Sequence, residues 1–200
     1  MIHKNLITAE RRPNIAVIGN ASVDALSEKA KAANELGSLI IDRRWRLITG
    51  GLGGVMHEAS KGARLSPSWK DGDIIGVLPG CDPSEANPYI DVIIPTGMDH
   101  LRNSIVSQSD AIIVIGGGAG TLSEMALAWV YHRLIIALPY EGWGEKLSGK
   151  KIDERVRYKD FPDDCVWPAN SPLEAVDLVS TLLPIYNKRH KTIKQREVDK

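Results

Sequence analysis

Two glycine-rich runs are the first places in this chain where residue type and spacing could do chemistry. Gly50-Gly51-Leu52-Gly53-Gly54 and Gly116-Gly117-Gly118-Ala119-Gly120 each hold four glycines, and a shorter turn reads Gly19-Asn20-Ala21-Ser22. Glycine accepts positive φ and puts no Cβ in the path of a ligand. Where such a run leads into a helix, unpaired N–H groups and a partial positive charge make a phosphate site. The alternative is turn geometry alone. Two such runs, each between an apolar strand pattern and an amphipathic helix pattern, favour the anion site. Gly19, Asn20, Gly50, Gly51, Gly53, Gly54, Gly117, Gly118, Gly120 and Thr121 are therefore expected to surround a phosphate-bearing ligand.

The same loops argue against the commonest nucleotide chemistries. A dinucleotide site places G-x-G-x-x-G after its first strand and an acidic residue near the end of its second. Here those positions read Gly19-Asn20-Ala21 and Thr49-Gly50-Gly51. No Gly-Lys-Ser/Thr follows either glycine run, so a Walker A loop is missing too. A mononucleotide-type ligand fits better than hydride transfer or ATP hydrolysis. His57 and His100 have no partner at metal-ligand spacing, and Cys81 and Cys165 stand far apart. No metal, no zinc knuckle and no cofactor of the protein's own are expected.

The elements that must position these loops alternate along the chain. Asn14 to Asn20 is a continuous apolar run ending in a turn, as a strand covered on both faces requires. Leu26, Ala30, Ala33, Leu36 and Ile40 recur at helical spacing, with Ser22 or Asp24 near the start. Arg46 to Thr49 is a second strand, and Val55, Ala59 and Ala63 share one face of the next helix. Asp73–Pro79 and Ile90–Pro95 read as strands, and Leu101–Ser107 as a short helix. Ala111–Ile115 is the most apolar strand and is expected to be central; a helix burying Leu122, Met125, Ala126, Trp129 and Val130 follows. Leu134–Leu138 is expected to be the last strand, before an irregular stretch over 140–170. Ser171-Pro172-Leu173-Glu174 combines an N-cap, a first-turn Pro and a capping-box Glu, so a terminal helix begins there. The pattern predicts an α/β, Rossmann-like single domain on a doubly wound parallel sheet, with ligands at the carboxyl ends of the strands.

Composition bounds the rest. The 200 residues suit one domain, with 43% hydrophobic and 25% charged residues and a formal net charge of zero. No whole-protein field favours nucleic acid or an anionic membrane, so neither is expected as a partner. A polar leader over 1–13 lacks the apolar core of a signal peptide, and no apolar run reaches the ~20 residues of a membrane helix. A domain over 14–183 is followed by a basic tail over 184–200, where six Lys/Arg face Glu197 and Asp199. A solvated terminus is the ordinary reading of such a tail. Two unpaired cysteines suit a reducing compartment, and a cytoplasmic location is expected.

Gly117-Gly118-Ala119-Gly120-Thr121-Leu122-Ser123-Glu124 resembles the G-G-x-G-T-x-x-E signature of the LOG family, often labelled lysine decarboxylase-like. Met98-Asp99-His100-Leu101-Arg102 falls where that family has its methionine-and-arginine segment, and Gly50 to Met56 resembles its second glycine loop. The resemblance runs from about Asn14 to Leu138. It implies hydrolysis of the N-glycosidic bond of a nucleoside 5′-monophosphate, giving free base and ribose 5-phosphate. Nothing marks a lysine for a pyridoxal phosphate Schiff base. Three positions differ: Gly116 where the family has Pro, Arg102-Asn103 where it has Arg-Lys, and Ser123-Glu124 where it has Glu-Glu. With these variants the chain is similar to the neighbouring branch that includes molybdenum cofactor carrier proteins, which bind rather than turn over.

The resemblance assigns roles that spacing leaves open. Breaking an N-glycosidic bond passes through an oxocarbenium-like sugar, which a carboxylate can stabilise while a cation holds the phosphate. Glu124 and Arg102 are the candidate catalytic residues, with Met98 and Asn103 at the ligand. On spacing alone, Thr121-x-x-Glu124 reads first as a capping box and Arg102 as a surface ion pair, with Asp110 a turn residue or a salt-bridge partner of Arg102. Trp143 and Trp167 lie where they could cover the pocket or pin a loop. The resemblance also implies a homodimer, to which Trp129 and Tyr131 could lend apolar contact unless Trp129 packs on the sheet. Two readings follow: a nucleoside 5′-monophosphate phosphoribohydrolase, or a non-catalytic carrier or sensor of a phosphorylated pterin or nucleotide.

Overall fold

A computed structural model describes residues 11–186; positions 1–10 of the leader and 187–200 of the tail lie outside the described residues. Seven strands form one parallel sheet: β1 Asn14–Gly19, β2 Arg46–Thr49, β3 Ile74–Leu78, β4 Val92–Pro95, β5 Ala111–Ile115, β6 Leu134–Leu138 and β7 Trp167–Pro168. Their order is β4-β3-β2-β1-β5-β6-β7. The chain winds outward from β1 to β4, returns to β5 beside β1, and winds outward again. That reversal opens a crevice at the carboxyl ends of β1 and β5, where doubly wound sheets bind ligands. The register pairs Gly19 with Ile115, so the loops leaving both strands start side by side.

The continuous apolar strands are buried on both faces. Ile15 and Val17 point into a core shared with α1 (Glu28–Asp42), α2 (Val55–Leu65) and α6 (Pro172–Leu182). Ala16 and Ile18 point the other way, toward α3 (Asn103–Val106), α4 (Ala119–Val130) and α5 (Trp143–Leu147). Alternation along one strand thus feeds two cores. All five residues of β5 are buried, as its composition demands. Helices α1 and α2 approach closely because both contacts are glycines. A methyl on Gly37 would fall 1.9 Å from the Ala59 carbonyl oxygen, and one on Gly62 1.7 Å from that of Asn34.

Several element boundaries differ from the sequence reading, each for a local reason. Helix α1 starts at Glu28, where Ser27 accepts a bond from the Ala30 N–H; Leu26, expected on its apolar face, is exposed before the cap. The expected strand over 90–95 is shortened to β4, a half-exposed edge strand. The expected helix over 101–107 is a 3-10 turn, Asp99–Arg102, running into the single turn of α3. The stretch over 140–170 contains α5 and a further strand, β7, which pairs with β6 and makes Leu134–Leu138 the sixth strand rather than the last. Two residues of Trp-Pro carry no alternation to read. The terminal helix begins as expected, with Ser171 accepting from the Glu174 N–H at 3.1 Å.

The segment after α5 is held by a buried cation. Arg157 makes two 2.6 Å contacts to Asp164, donates to the Arg133 carbonyl, and stacks over Trp129 at 3.6 Å. Tyr186 donates to Asp164 at 2.6 Å and accepts from the Trp167 indole at 2.8 Å. Trp167 therefore pins this segment to the domain. Trp143 packs partly buried on the second core, and neither tryptophan lines the cleft described below. Trp129 is fully buried, with its indole N–H on Asp153. It packs inside the chain and offers no surface to a second copy.

Candidate active site

The crevice at the switch point is a cleft of about 450 Å³. The loop after β1, the loop after β2, the 3-10 turn after β4 and the start of α4 surround it. Three glycine positions show how the loops converge. A Cβ on Gly19 would fall 2.3 Å from the Ile115 carbonyl oxygen, so only glycine lets β1 and β5 end so close. A Cβ on Gly50 would stand 2.5 Å from both terminal nitrogens of Arg102, so Gly50 makes the room that the guanidinium fills. Gly116 adopts φ 65°, a left-handed conformation closed to proline.

Asn20 joins the loops. Its side-chain oxygen accepts from the Gly117 N–H at 2.9 Å, and its carbonyl accepts from the Val55 N–H at 3.0 Å. The Thr121 hydroxyl donates to the Gly19 carbonyl at 3.1 Å. Helix α4 begins with Gly118 as its cap residue, which supplies no side-chain cap bond to the first N–H groups. Gly118 has φ −98° and Gly120 lies in the helix, so neither needs glycine for conformation. A Cβ at either would meet nothing within 4 Å. The absent side chains leave open space over a helix start, the arrangement that admits an anion.

Arg102 and Glu124 face each other across this cleft. Both line it while being only 9% and 7% exposed. Their closest approach, Nη1 to Oε1, is 3.4 Å, long for a charge-assisted bond. Among the described residues the buried Nε of Arg102 has no partner. Burial raises the Glu124 carboxyl to about 7, with the Arg102 charge pulling the other way. Burial also lowers the Arg102 guanidinium, against the pull of Glu124. The pair is desolvated and loosely joined, leaving a cation free to take a second anion and a carboxyl poised to gain or lose a proton near neutrality.

The structure corrects two alternatives. Because α4 starts at Ala119, Thr121 and Glu124 both lie inside the helix; the Thr121 hydroxyl turns to Gly19 and Glu124 to Arg102. They form no capping box. Asp110, expected within reach of Arg102, precedes β5 at the opposite end of the sheet, where it bonds Arg11 at 2.6 Å and the Asn14 N–H at 2.8 Å. Of the residues expected at the ligand, Gly19, Asn20, Gly50, Asn103, Gly118, Gly120 and Thr121 line the cleft with Arg102 and Glu124. Gly51, Gly53, Gly54, Gly117 and Met98 do not. Gly51, Gly54 and Gly117 have positive φ and shape the turns, while Met98 is half exposed beside the 3-10 turn. His100 is exposed at the rim, and His57 turns to Glu58 at 3.1 Å. Sequence reasoning passed over Ile18, Leu52, Met56 and Pro79, which form apolar wall. Their types carry no chemical signature, and only the folded loops gather them. Among the described residues no group of three or more His, Cys, Asp or Glu could hold a metal. No helix among them is long and apolar enough to cross a membrane.

Two of the departures from the LOG pattern touch each other. The Asn103 amide donates to the Ser123 hydroxyl at 2.8 Å, so a neutral hydrogen bond occupies the place of the family's Lys and Glu. A family model, the SLOG cluster4 family, matches residues 12–174 and so covers the whole sheet and cleft. The chain belongs to the SLOG cluster4 family. Its fold is similar to that of the molybdenum cofactor binding protein of Rippkaea orientalis, at 32% identity and a TM-score of 0.70, covering 86% of this chain and 98% of that one. The molybdenum cofactor carrier protein of Chlamydomonas reinhardtii is 32% identical with a TM-score of 0.69, over 86% and 99% of the two chains. A cytokinin riboside 5′-monophosphate phosphoribohydrolase of Mycobacterium tuberculosis is 32% identical over 105 residues, 52% of this chain and 55% of that enzyme. This SLOG cluster4 protein is thus LOG-like, with structural neighbours of the cofactor-carrier branch along nearly their full length.

Proposed function

We propose that the protein holds a phosphorylated, ring-bearing ligand of the molybdenum-cofactor or nucleotide class in the cleft and releases it unchanged. The observation that carries this is the open backbone at Gly118 and Gly120, at a helix start without a side-chain cap that lines the same cleft as Arg102. The phosphate sits on the α4 N–H groups and Arg102, and the ring lies against Leu52, Met56 and Pro79. A cleft of about 450 Å³ suits one such molecule. The neutral Asn103–Ser123 bond and the left-handed Gly116 support the carrier branch over the enzyme branch. Copies of the chain pair as a homodimer, as the LOG resemblance implies.

A second reading is favoured by one observation. Glu124, buried beside Arg102 and titrating near neutrality, has the features of a general acid or of a carboxylate that stabilises an oxocarbenium ion. On that reading the protein hydrolyses nucleoside 5′-monophosphates. Incubation with adenosine, guanosine, cytidine, uridine and cytokinin monophosphates, followed by chromatography for free base, separates the two. The carrier binds phosphorylated ligands and releases no base over prolonged incubation. Base release that falls a hundredfold to a thousandfold in Glu124→Gln, or about 3–4 kcal/mol, overturns it.

A further inference from the structure

The anion-binding reading leaves a charge unexplained: the cleft that is to receive a phosphate already contains a carboxylate. Glu124 and Arg102 are both buried and both line the cleft, and Arg102 is the one ion-pair or hydrogen-bond partner of that carboxylate among the described residues. Their 3.4 Å separation is too long for a bidentate lock. Among the described residues Arg102 is also the only arginine or lysine lining the cleft. An incoming phosphate and Glu124 therefore compete for one guanidinium within a few ångströms, in a desolvated site where like charges repel strongly.

We propose that Glu124 is the anion an incoming phosphate displaces from Arg102, so that ligand binding takes up one proton at this carboxyl. The inference rests on the anion-binding reading above and holds for carrier and enzyme alike. In the free protein Arg102 is the counter-charge of Glu124. In the complex the phosphate claims Arg102, and Glu124 becomes a neutral carboxylic acid by taking a proton from solvent. It then donates a hydrogen bond toward the ligand instead of repelling it. The site is suited to this exchange because burial already places the free carboxyl at about 7. A second anion raises it further, so the bound form keeps the proton at a pH where the free form has lost it.

The charged groups around Glu124 are few. From the 3-10 turn, Asp99, His100 and Arg102 line the cleft; from α3 and the start of α4, the lining residues Asn103, Gly118, Gly120 and Thr121 are uncharged. The loops after β1 and β2 contribute no charged lining residue, and neither does α2, whose Met56 is the part that reaches the cleft. Asp99 and His100 are exposed to solvent at the rim. His100 is the one histidine lining the cleft among the described residues, so a variant at His100 serves as the control for Glu124.

Sulfate is a suitable probe because it mimics phosphate without itself titrating near neutrality. The measurement is the carboxyl ¹³C shift of Glu124 against pH in glutamate-labelled protein, with and without saturating sulfate; Glu124→Gln identifies the signal. The expected result is an upward move of the midpoint on adding sulfate. Sulfate affinity should also fall above pH 7, by up to about tenfold per pH unit. It should be flat over that range in Glu124→Gln and unchanged in slope in His100→Asn. Sulfate that binds the parent with an unmoved Glu124 midpoint overturns this inference and leaves the anion-binding reading standing. A pH slope that survives in Glu124→Gln, or vanishes in His100→Asn, also overturns it. If neither sulfate nor any phosphorylated ligand binds the parent, both this inference and the reading beneath it fail.

Discussion

Substituting Gly118 by valine separates what the fold requires from what the ligand requires. Gly118 is the cap residue of α4, with φ −98° and ψ −153°, an extended conformation valine adopts freely. An added Cβ meets no atom within 4 Å. Valine is a poorer cap than glycine by about 1 kcal/mol, and the lost unfolded-chain entropy returns about 0.4–1 kcal/mol. The variant should therefore fold with a stability within about 1 kcal/mol of the parent. Binding is another matter, since the new isopropyl group occupies the space over the helix start. A ligand at a hundred times its dissociation constant stabilises the parent by about 2.7 kcal/mol. In a chain of this size that raises Tm by roughly 5–10 °C. Thermal melts with molybdenum cofactor, inorganic phosphate and nucleoside monophosphates should show this shift in the parent and none in Gly118→Val. Gly62→Ala is the contrast: its methyl would meet the Asn34 carbonyl oxygen at 1.7 Å, and overpacking of that kind costs about 1–3 kcal/mol or more without ligand. A Gly118→Val protein stabilised by ligand as strongly as the parent would refute the placement of the anion on this loop.

Two further outcomes follow from buried and exposed groups. Glu124 has a folded-state value of about 7 against an ordinary 4.5, so the folded protein holds its proton longer than the unfolded chain. Its contribution is fully present below about pH 4.5, and stability is lost as pH rises from there through 7, by about 3 kcal/mol in all. Glu124→Gln should accordingly melt several degrees above the parent at pH 8 and level with it near pH 4.5; equal melting at both would remove the buried-carboxylate account. For assembly, Leu101 and Ile105 lie four residues apart and are 73% and 39% exposed beside the cleft. Light scattering should return twice the 21.9 kDa chain mass, and Leu101→Glu should shift it toward the monomer; a monomeric parent would remove the dimer.

The sequence by itself determined the parallel sheet and six of its seven strands. Unbroken apolar runs such as Ala111–Ile115 can be satisfied only by burial on both faces, and the helical spacings between them require crossovers. It also marked the glycine loops and, through the Met98–Arg102 segment and the G-G-x-G-T-x-x-E pattern, Arg102 and Glu124. What it left undecided were questions of proximity. The spacing of Thr121 and Glu124 fits a capping box, and only the start of α4 at Ala119 turns one side chain to Gly19 and the other to Arg102. Asp110 lies eight residues from Arg102 along the chain yet at the far end of the sheet, because β5 begins just beyond it. Glycine is one letter with several uses: Gly62 is there for helix contact, Gly116 for a left-handed turn, Gly50 to house a guanidinium, and Gly118 to leave open space. The raised Glu124 carboxyl belongs to tertiary structure alone. Desolvation depends on what surrounds a group in space, and the atoms that bury Glu124 come from segments distant in the chain.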